Sequence, residues 1–353
     1  MYVELKQVNK YYDTYHASKD ISIGIEQGQV LALLGPSGSG KTTILRMIAG
    51  LEIPDSGDIT IANQIVNTMP PREREIGFLF QNYALFRHMT VFENIAFGLE
   101  MQGLKQKEIK PRVAELIELI GLTGLEKRYP MELSGGQKQR VAFARALAPN
   151  PKVLLLDEPF AAIDVKVKEE LRIWLKETIH KIGITTIFVT HDQEEAVELA
   201  NIIVVTNQGR VEQMGTPEEI YGAPNTPFVA QFMGKSTEVL SYRDLKGFQH
   251  IDYGSSAIIR PEAIKIYKKG TLRQFMSAAE EGVIERILFK GNHLELWVRI
   301  GDMLIYSNAD MDSAHFSVGE SVDVLIYRLY IFDHNTTQVV ENSKMNVDDV
   351  YYI

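Results

Sequence analysis

Three short runs of the chain are almost unbroken in apolar residues: VLALL at Val30–Leu34, VLLL at Val153–Leu156 and TIFVT at Thr186–Thr190. A strand buried on both faces of a parallel sheet has this pattern, because neither face alternates toward water. Each run gives way to motif residues rather than to a hairpin turn, which predicts strand–loop–helix units. From Val165 to Ile182 the spacing becomes helical, with Val167, Leu171, Trp174, Thr178 and Ile182 on one face. A helical insert is expected before it. There Pro111 opens a helix, Val113, Leu116, Ile117 and Ile120 line one side, and Gly121 closes it.

After about Gly234 the periodicity drops to two. In HLELWVRI, His293–Ile300, the residues Leu294, Leu296, Val298 and Ile300 alternate with Glu295, Trp297 and Arg299. SVDVLIYR, Ser321–Arg328, alternates too. Such strands belong to an antiparallel sheet with one wet face. Residues 235–353 are therefore expected to form a separate small β-domain, a barrel. Residues 1–234 are expected to form one α/β domain, with the helical insert at about 88–150.

Composition narrows this picture mainly by exclusion. A chain of 353 residues can bury two cores, and 45% hydrophobic with 24% charged residues is ordinary for globular domains. The net charge of −9 comes with no basic block, which argues against a nucleic-acid partner. Cysteine is absent, which excludes disulfides and thiolate-bound metals and fits a reducing compartment. The start, MYVELKQVNKYY, has no apolar signal-peptide core, and no run approaches the roughly 18 apolar residues of a membrane span.

Candidate chemistry begins after the first buried strand. GPSGSGKTT supplies Gly35, Pro36, Ser37, Gly38, Ser39, Gly40, Lys41, Thr42 and Thr43, matching the phosphate-binding pattern G-x-x-x-x-G-K-[ST]. Such glycines let backbone N–H groups turn inward around phosphate oxygens, and the helix N-terminus that follows adds its dipole. Lys41 would reach the β and γ phosphates, and the Thr42 hydroxyl would ligate Mg²⁺. VLLLDEP ends in Asp157, placed to hold Mg²⁺ directly or through water, and Glu158, placed to polarise a water against the γ-phosphate. Gln81 in GFLFQN and His191 in FVTHD also follow strand-like runs. Either would pass as a bland residue without the other motifs.

A P-loop alone does not separate kinases, GTPases, motors and transport ATPases. LSGGQ at Leu133–Gln137 does. With the P-loop, Gln81, the Asp157–Glu158 pair and His191 in this order, the chain resembles the ATP-binding cassette (ABC) family from Met1 to about Gly234. The resemblance implies a P-loop NTPase with a RecA-like core and a helical subdomain, hydrolysing ATP with Mg²⁺. It also implies a homodimer packed head to tail, in which each LSGGQ caps the ATP held by the other copy. Ser134, Gly135, Gly136 and Gln137 would make that contact; the N–H groups of the two glycines form a second anion nest. Tyr12 resembles the aromatic that stacks on adenine, with Tyr11 the competing choice. Gln81 resembles the residue that contacts Mg²⁺ or the attacking water and reports to the membrane partner. Asp164 resembles the loop that couples the two sites, although Ile163 stands where Leu is usual. His191 resembles the switch histidine on the γ-phosphate.

Fused exporters, two-cassette translation factors and coiled-coil repair proteins do not fit, since one cassette is followed by a β-tail. FVAQFMG, IIRPEAIKI and VGESVDVLIYRLYIFD resemble the OB-type transport-associated domain of bacterial importer ATPases. Such a subunit sits peripherally on the cytoplasmic face of the cell membrane. It drives two transmembrane permease subunits fed by a periplasmic or extracellular solute-binding protein. FQNYALFRHMTVFENIAFGL and FVTHDQEEAVELA read like the sulfate/thiosulfate type, while Thr237 and Glu262 depart from it. Ferric-iron, molybdate, polyamine and sugar importers share the architecture and stay open. So does a reading of another class, a soluble non-transport ATPase acting on a protein or nucleic-acid partner. Tyr83-Ala84-Leu85-Phe86, directly after Gln81, is expected to form a permease-docking groove unless Leu85 and Phe86 are simply core.

Overall fold

The computed structural model describes residues 1–161, 164–311, 315–333 and 336–345; Ile163 lies outside them. The chain divides into two compact units, Met1–Pro217 and Glu218–Ile353. The change in periodicity near Gly234 lies inside the second unit. Ahead of it stand two short helices, α7 (Pro217–Gly222) and α8 (Pro227–Phe232). Ala230 of α8 is buried against Ile258, Tyr330 and Phe332 of the β-rich tail, so α8 shares the tail's core.

In the first unit the three apolar runs share one six-stranded sheet. Its order is Arg210–Gly215, Ile202–Asn207, Val30–Leu34, Thr185–Thr190, Val153–Asp157 and Ile76–Leu79. All neighbours are parallel except the first pair. The register pairs Leu34 with Thr190, Asp157 with Val189 and Leu79 with Leu156, so four strands finish side by side. The residues that follow them emerge along one edge, where open α/β sheets bind ligands.

One face of this sheet packs on helix α1 (Lys41–Ala49) and on a second, antiparallel sheet of Tyr15–Ile25, Val3–Tyr12, Ser56–Ile61 and Gln64–Ile65. Beyond α1 come α2 (Val91–Met101), α3 (Gln106–Leu119), α4 (Gly135–Leu147), α5 (Val165–Ile182) and α6 (Gln193–Leu199). Helices α2, α3 and α4 pack on one another.

Two helical expectations need correction. Pro111 does not open α3; it sits inside the helix, five residues after Gln106. The helix starts earlier because Glu108 Oε2 accepts the Lys105 amide at 3.1 Å, and the proline then gives up one main-chain bond in mid-helix. The exit is as read: Gly121 is left-handed at φ 65°, and the amides of Gly121 and Leu122 return to the carbonyls of Glu118 and Ile117 at 3.0 Å. On α5, Ile182 is 40% exposed and the buried stripe runs through Leu171, Leu175, Thr178 and Ile179. A period of 3.6 drifts away from steps of four, which is how Ile182 leaves the face.

The second unit holds two antiparallel sheets. One is ordered Thr237–Val239, Ser256–Ile259, Arg328–Asp333, Thr336–Glu341. The other is ordered Ile264–Lys268, Ser321–Ile326, Glu280–Phe289, His293–Ile300, Met303–Asp310. The expected barrel is thus realised as two sheets around one core, with Ile259 and Ile331 from the first meeting Ile284, Leu296, Val298 and Val324 from the second. The strand His293–Ile300 departs from strict alternation at Glu295, which is 3% exposed. Its carboxylate accepts from Lys235 Nζ at 2.6 Å and Trp297 Nε1 at 2.9 Å, so the buried charge is paired. Arg260 is fully buried, its guanidinium 3.8 Å from the Tyr221 ring centroid and 4.8 Å from that of Tyr330.

Candidate functional site

The loop after Val30–Leu34 needs its glycines for different reasons. A Cβ on Gly35 would lie 2.2 Å from the Thr206 carbonyl oxygen, so this glycine lets the loop pass close to the strand Ile202–Asn207. Gly40, the N-cap of α1, has φ 95°, and a Cβ there would lie 2.4 Å from the Ala17 carbonyl oxygen. Between them, Ser39 is buried and its hydroxyl lies 2.9 Å from that of Thr206. Lys41 Nζ folds back on the loop, donating to the carbonyls of Gly35 at 2.9 Å and Pro36 at 2.8 Å. Burial pushes this ammonium below the usual lysine range, against the pull of Glu158 and Asp157. Ser37 and Gly38 are exposed, and Thr42 and Thr43 half-buried.

At the neighbouring strand end, Thr42 Oγ1 donates to Asp157 Oδ1 at 3.2 Å. Burial raises the Asp157 carboxyl above the usual range, and the Thr42 bond opposes it. Glu158 follows with φ 45°, a left-handed backbone that a non-glycine residue adopts only at a cost. Its amide donates to the Val189 carbonyl at 3.2 Å. Two of the residues read from sequence converge on its carboxylate. Gln81 Nε2 donates to Glu158 Oε2 at 2.9 Å, and His191 Nδ1 stands 3.6 Å from Glu158 Oε1.

Other residues lie further out. Tyr12 is 40% exposed; burial raises its phenol pKa, opposed by a hydrogen bond with the Thr43 side chain. Tyr11 stacks instead on His16 with ring centroids 3.9 Å apart. Tyr15 was not singled out from sequence, yet its hydroxyl donates to the Gly38 carbonyl at 3.2 Å. Ser134 is the N-cap of α4: its hydroxyl accepts the Gln137 amide at 3.3 Å, and Gln137 Oε1 accepts the Ser134 amide at 2.9 Å. Gly135 and Gly136 form the first turn, where amides have no intrahelical acceptor. A Cβ on Gly136 would press on Val167 and Leu171 of α5 at 3.2–3.3 Å. Among the described residues no hydrogen bond or ion pair joins Ser134–Gln137 to the loop Gly35–Thr43. Asp164 caps α5, accepting the Val167 amide at 3.2 Å.

The segment after Gln81 is held by two residues that sequence reading missed. Arg145 of α4 donates to the carbonyls of Ala84 at 2.7 Å and Tyr83 at 2.8 Å, and burial lowers its pKa. Tyr83 and Ala84 have φ of 62° and 47°. Asn94 of α2 is fully buried; it accepts the Phe86 amide at 2.9 Å and donates to the carbonyls of Phe86, Met89 and Thr90 at 3.0–3.1 Å. Leu85 and Phe86 are half-buried rather than core. An arginine or asparagine that hydrogen-bonds only to main-chain groups leaves no local pattern to find it by.

A P-loop at the carboxyl edge of a parallel sheet, beside an Asp–Glu pair, defines a P-loop NTPase. Comparison with known proteins places it further. A family model described as ABC transporter matches residues 18–161. The chain is 47% identical over 326 residues to the sulfate/thiosulfate import ATP-binding protein CysA of Thermosynechococcus vestitus, covering 91% of this chain and 95% of that protein. It is 40% identical over 359 residues to the CysA of Neisseria meningitidis, covering 95% and 98%. A dimeric, post-hydrolysis structure of the ATP-binding cassette MJ0796 bound to ADP and Pi matches with a TM-score of 0.55 and 34% identity, covering 61% of this chain and 98% of that one. Clostridium perfringens cbiO1, part of the cbiONQ ABC transporter complex, matches with a TM-score of 0.58 and 35% identity over 62% and 90%. The chain belongs to the ABC transporter family, and it is an ATPase of that family.

Proposed function

We propose that this chain is the ATP-hydrolysing subunit of a bacterial importer for sulfate and thiosulfate. The observation that carries the catalytic reading is the convergence of Gln81 and His191 on Glu158, at the strand edge that carries the phosphate loop. Glu158 acts as general base, taking a proton from the water that attacks the γ-phosphate. Gln81 and His191 orient its carboxylate, and His191 also meets the γ-phosphate. Lys41 and the amides from Gly38 to Thr43 hold the phosphates, and Tyr12 rather than the His16-stacked Tyr11 takes the adenine. Ser134, Gly135, Gly136 and Gln137 serve the ATP of a second copy, and Asp164 couples the two sites. The dimeric form of the MJ0796 cassette supports this arrangement.

Mg²⁺ fits the residues at the base of the site. Thr42, Gln81 and Asp157 are oxygen donors and few, and among the described residues no group of three or more His, Asp or Glu could hold a metal ion. That suits an ion that keeps its waters and takes further ligands from phosphate. It would be held by Thr42 and Gln81, with Asp157 direct or through water. When bound, it neutralises charge on the phosphate oxygens.

No helix among the described residues is long and apolar enough to cross a membrane. We assign the chain to the cytoplasmic face of the cell membrane, peripheral to two permease subunits that dock at Tyr83–Phe86. A solute-binding protein feeds them from outside, and residues 235–353 serve as an OB-type transport-associated regulatory domain. The choice of solute rests on the names of the relatives. The test is uptake of radiolabelled sulfate by the transporter reassembled with its permease and binding protein. Uptake that needs ATP, is lost with Glu158→Gln and is competed by thiosulfate is expected. Uptake of ferric iron, molybdate, a polyamine or a sugar instead would overturn the solute, and failure to engage any permease would favour a soluble ATPase.

A further inference from the structure

Lys168, one turn into α5, has no part in the mechanism above. Its Nζ lies 2.5 Å from Asp192 Oδ2 and 2.6 Å from Glu195 Oε1. This is not an ordinary surface pair, which would contribute little. The Glu195 side chain is 5% exposed, and a carboxylate so buried needs a cation and hydrogen bonds to stay charged. Its second oxygen accepts a hydrogen bond from the hydroxyl of Thr190, itself buried. Thr190 Oγ1 in turn accepts the Asp192 amide at 3.0 Å. Asp192 Oδ1 caps α6, accepting the amides of Glu194 at 2.9 Å and Glu195 at 3.4 Å.

The residues on both sides of His191 are therefore fixed by one network, with Lys168 as its cation. The histidine itself has little else to hold it: its side chain is 61% exposed, and Glu158 stands 3.6 Å away. Lys168 also belongs to the turn capped by Asp164, whose carbonyl accepts the Lys168 amide at 2.9 Å. One turn further along α5, Arg172 reaches Glu194 at 3.4 Å and Glu198 at 3.3 Å, so the two helices are zipped by charge from this point outward.

We propose that Lys168 is a positioning residue for His191: through Asp192 and Glu195 it fixes the backbone from Thr190 to Asp192, and it ties the histidine's place beside Glu158 to the helix capped by Asp164. The inference rests on the reading of Glu158 and His191 as the groups at the reacting phosphate. It makes the coupling concrete, because a shift of α5 at its Asp164 end is carried to His191 by one ammonium.

The test is ATPase kinetics on the full chain, with residual rates taken from single-turnover release of labelled phosphate. Lys168→Met is expected to lower kcat by roughly tenfold, the scale of losing geometry rather than a reacting group, with KM for MgATP within about twofold. Lys168→Arg should return kcat to within about threefold, since it restores the cation. The deciding comparison is made on a His191→Ala background. If Lys168 acts through His191, Lys168→Met there costs less than about twofold more; a merely structural lysine costs the same factor on both backgrounds. An equal factor, a change in KM alone, or a parental kcat in Lys168→Met would overturn the proposal. Should Lys168→Met fail to fold, the charge-balanced pair Lys168→Met with Glu195→Gln decides by the same comparison. Parental turnover in His191→Ala would instead overturn the role of His191, and this inference with it.

Discussion

Replacing Arg145 with Leu should loosen the segment after Gln81 and leave the rest of the first unit intact. Arg145 makes two charged hydrogen bonds, to the carbonyls of Tyr83 and Ala84 at 2.8 and 2.7 Å, and its guanidinium carbon lies 5.5 Å from the Phe86 ring centroid. Hydrogen bonds to charged groups contribute about 1.5–3 kcal/mol each, so about 3–6 kcal/mol is at stake before offsets. Against this stands relief from holding a guanidinium away from water, several kcal/mol at most. Tyr83 and Ala84 hold left-handed backbones, at φ 62° and 47°, but that strain belongs to the closed loop of parent and variant alike and cancels in the comparison. A net loss of about 2 kcal/mol in the order of this loop follows, close to a thirtyfold shift toward open forms. Hydrogen exchange reads it directly. The amides of Tyr83, Ala84 and Phe86 are all hydrogen-bonded, and their protection should fall by at least about tenfold while that of Leu31–Leu34 stays unchanged. Permease pull-down should weaken in parallel. Unchanged protection at Tyr83–Phe86 would refute the claim that Arg145 sets this loop.

Glu158→Gln should bind ATP normally and hydrolyse it about 10²–10⁴ times more slowly; turnover within threefold of the parent would remove Glu158 as base. Gly40→Ala combines a left-handed backbone, about 1–2 kcal/mol, with a Cβ driven toward the Ala17 carbonyl, about 1–3 kcal/mol; urea unfolding should show a loss of about 2–5 kcal/mol, and ATP affinity should fall with it. The stability difference between the parent and Lys168→Met should depend on pH in a set direction. Burial raises Asp192, but Lys168 and the α6 amides outweigh it and leave the carboxyl below its ordinary range, so its contribution is present above about pH 4 and lost as pH falls through the lowered value. Burial lowers Lys168, but Asp192 and Glu195 outweigh it and leave the ammonium raised, so its contribution holds below about pH 10 and is lost above. The difference should be level across neutral pH and shrink below about pH 4; urea melts at pH 3 and 7 that differ equally would contradict the ion-pair account. Arg172, Glu194 and Glu198 are common to both proteins and cancel.

The legible parts of this chain are those whose physics is local. Three buried parallel strands showed as apolar runs, and the end of α3 at Gly121 showed as a glycine where only a left-handed residue serves. The phosphate loop, the Asp157–Glu158 pair and the signature loop are contiguous motifs. The antiparallel sheet of the first unit went unread because its alternation is broken: pairing between Val3–Tyr12 and Tyr15–Ile25 shifts register three times, and Gln7 sits at φ 49°. Glu295 read as a wet-face residue because its partner Lys235 is 60 positions away. Arg145 and Lys168 were invisible for the same reason, each acting through groups distant in sequence. Even the capping role of Ser134 hid behind its motif, since S-x-x-Q serves a helix N-terminus as well as an anion.

The central claim is that Leu133–Gln137 completes the site of a second copy. Lys41→Ala damages the phosphate loop and Ser134→Arg blocks the signature loop, so either homodimer carries two damaged sites. A mixed dimer of one copy of each, purified through two different tags, separates the alternatives. If the loops act in trans, both lesions fall on one site and the other is whole; if they act in cis, neither site is whole. With Glu158→Gln in every chain to block turnover, the account predicts one trapped ATP per mixed dimer. No trapped ATP in a verified mixed dimer, alongside clear trapping by the Glu158→Gln homodimer, would contradict it.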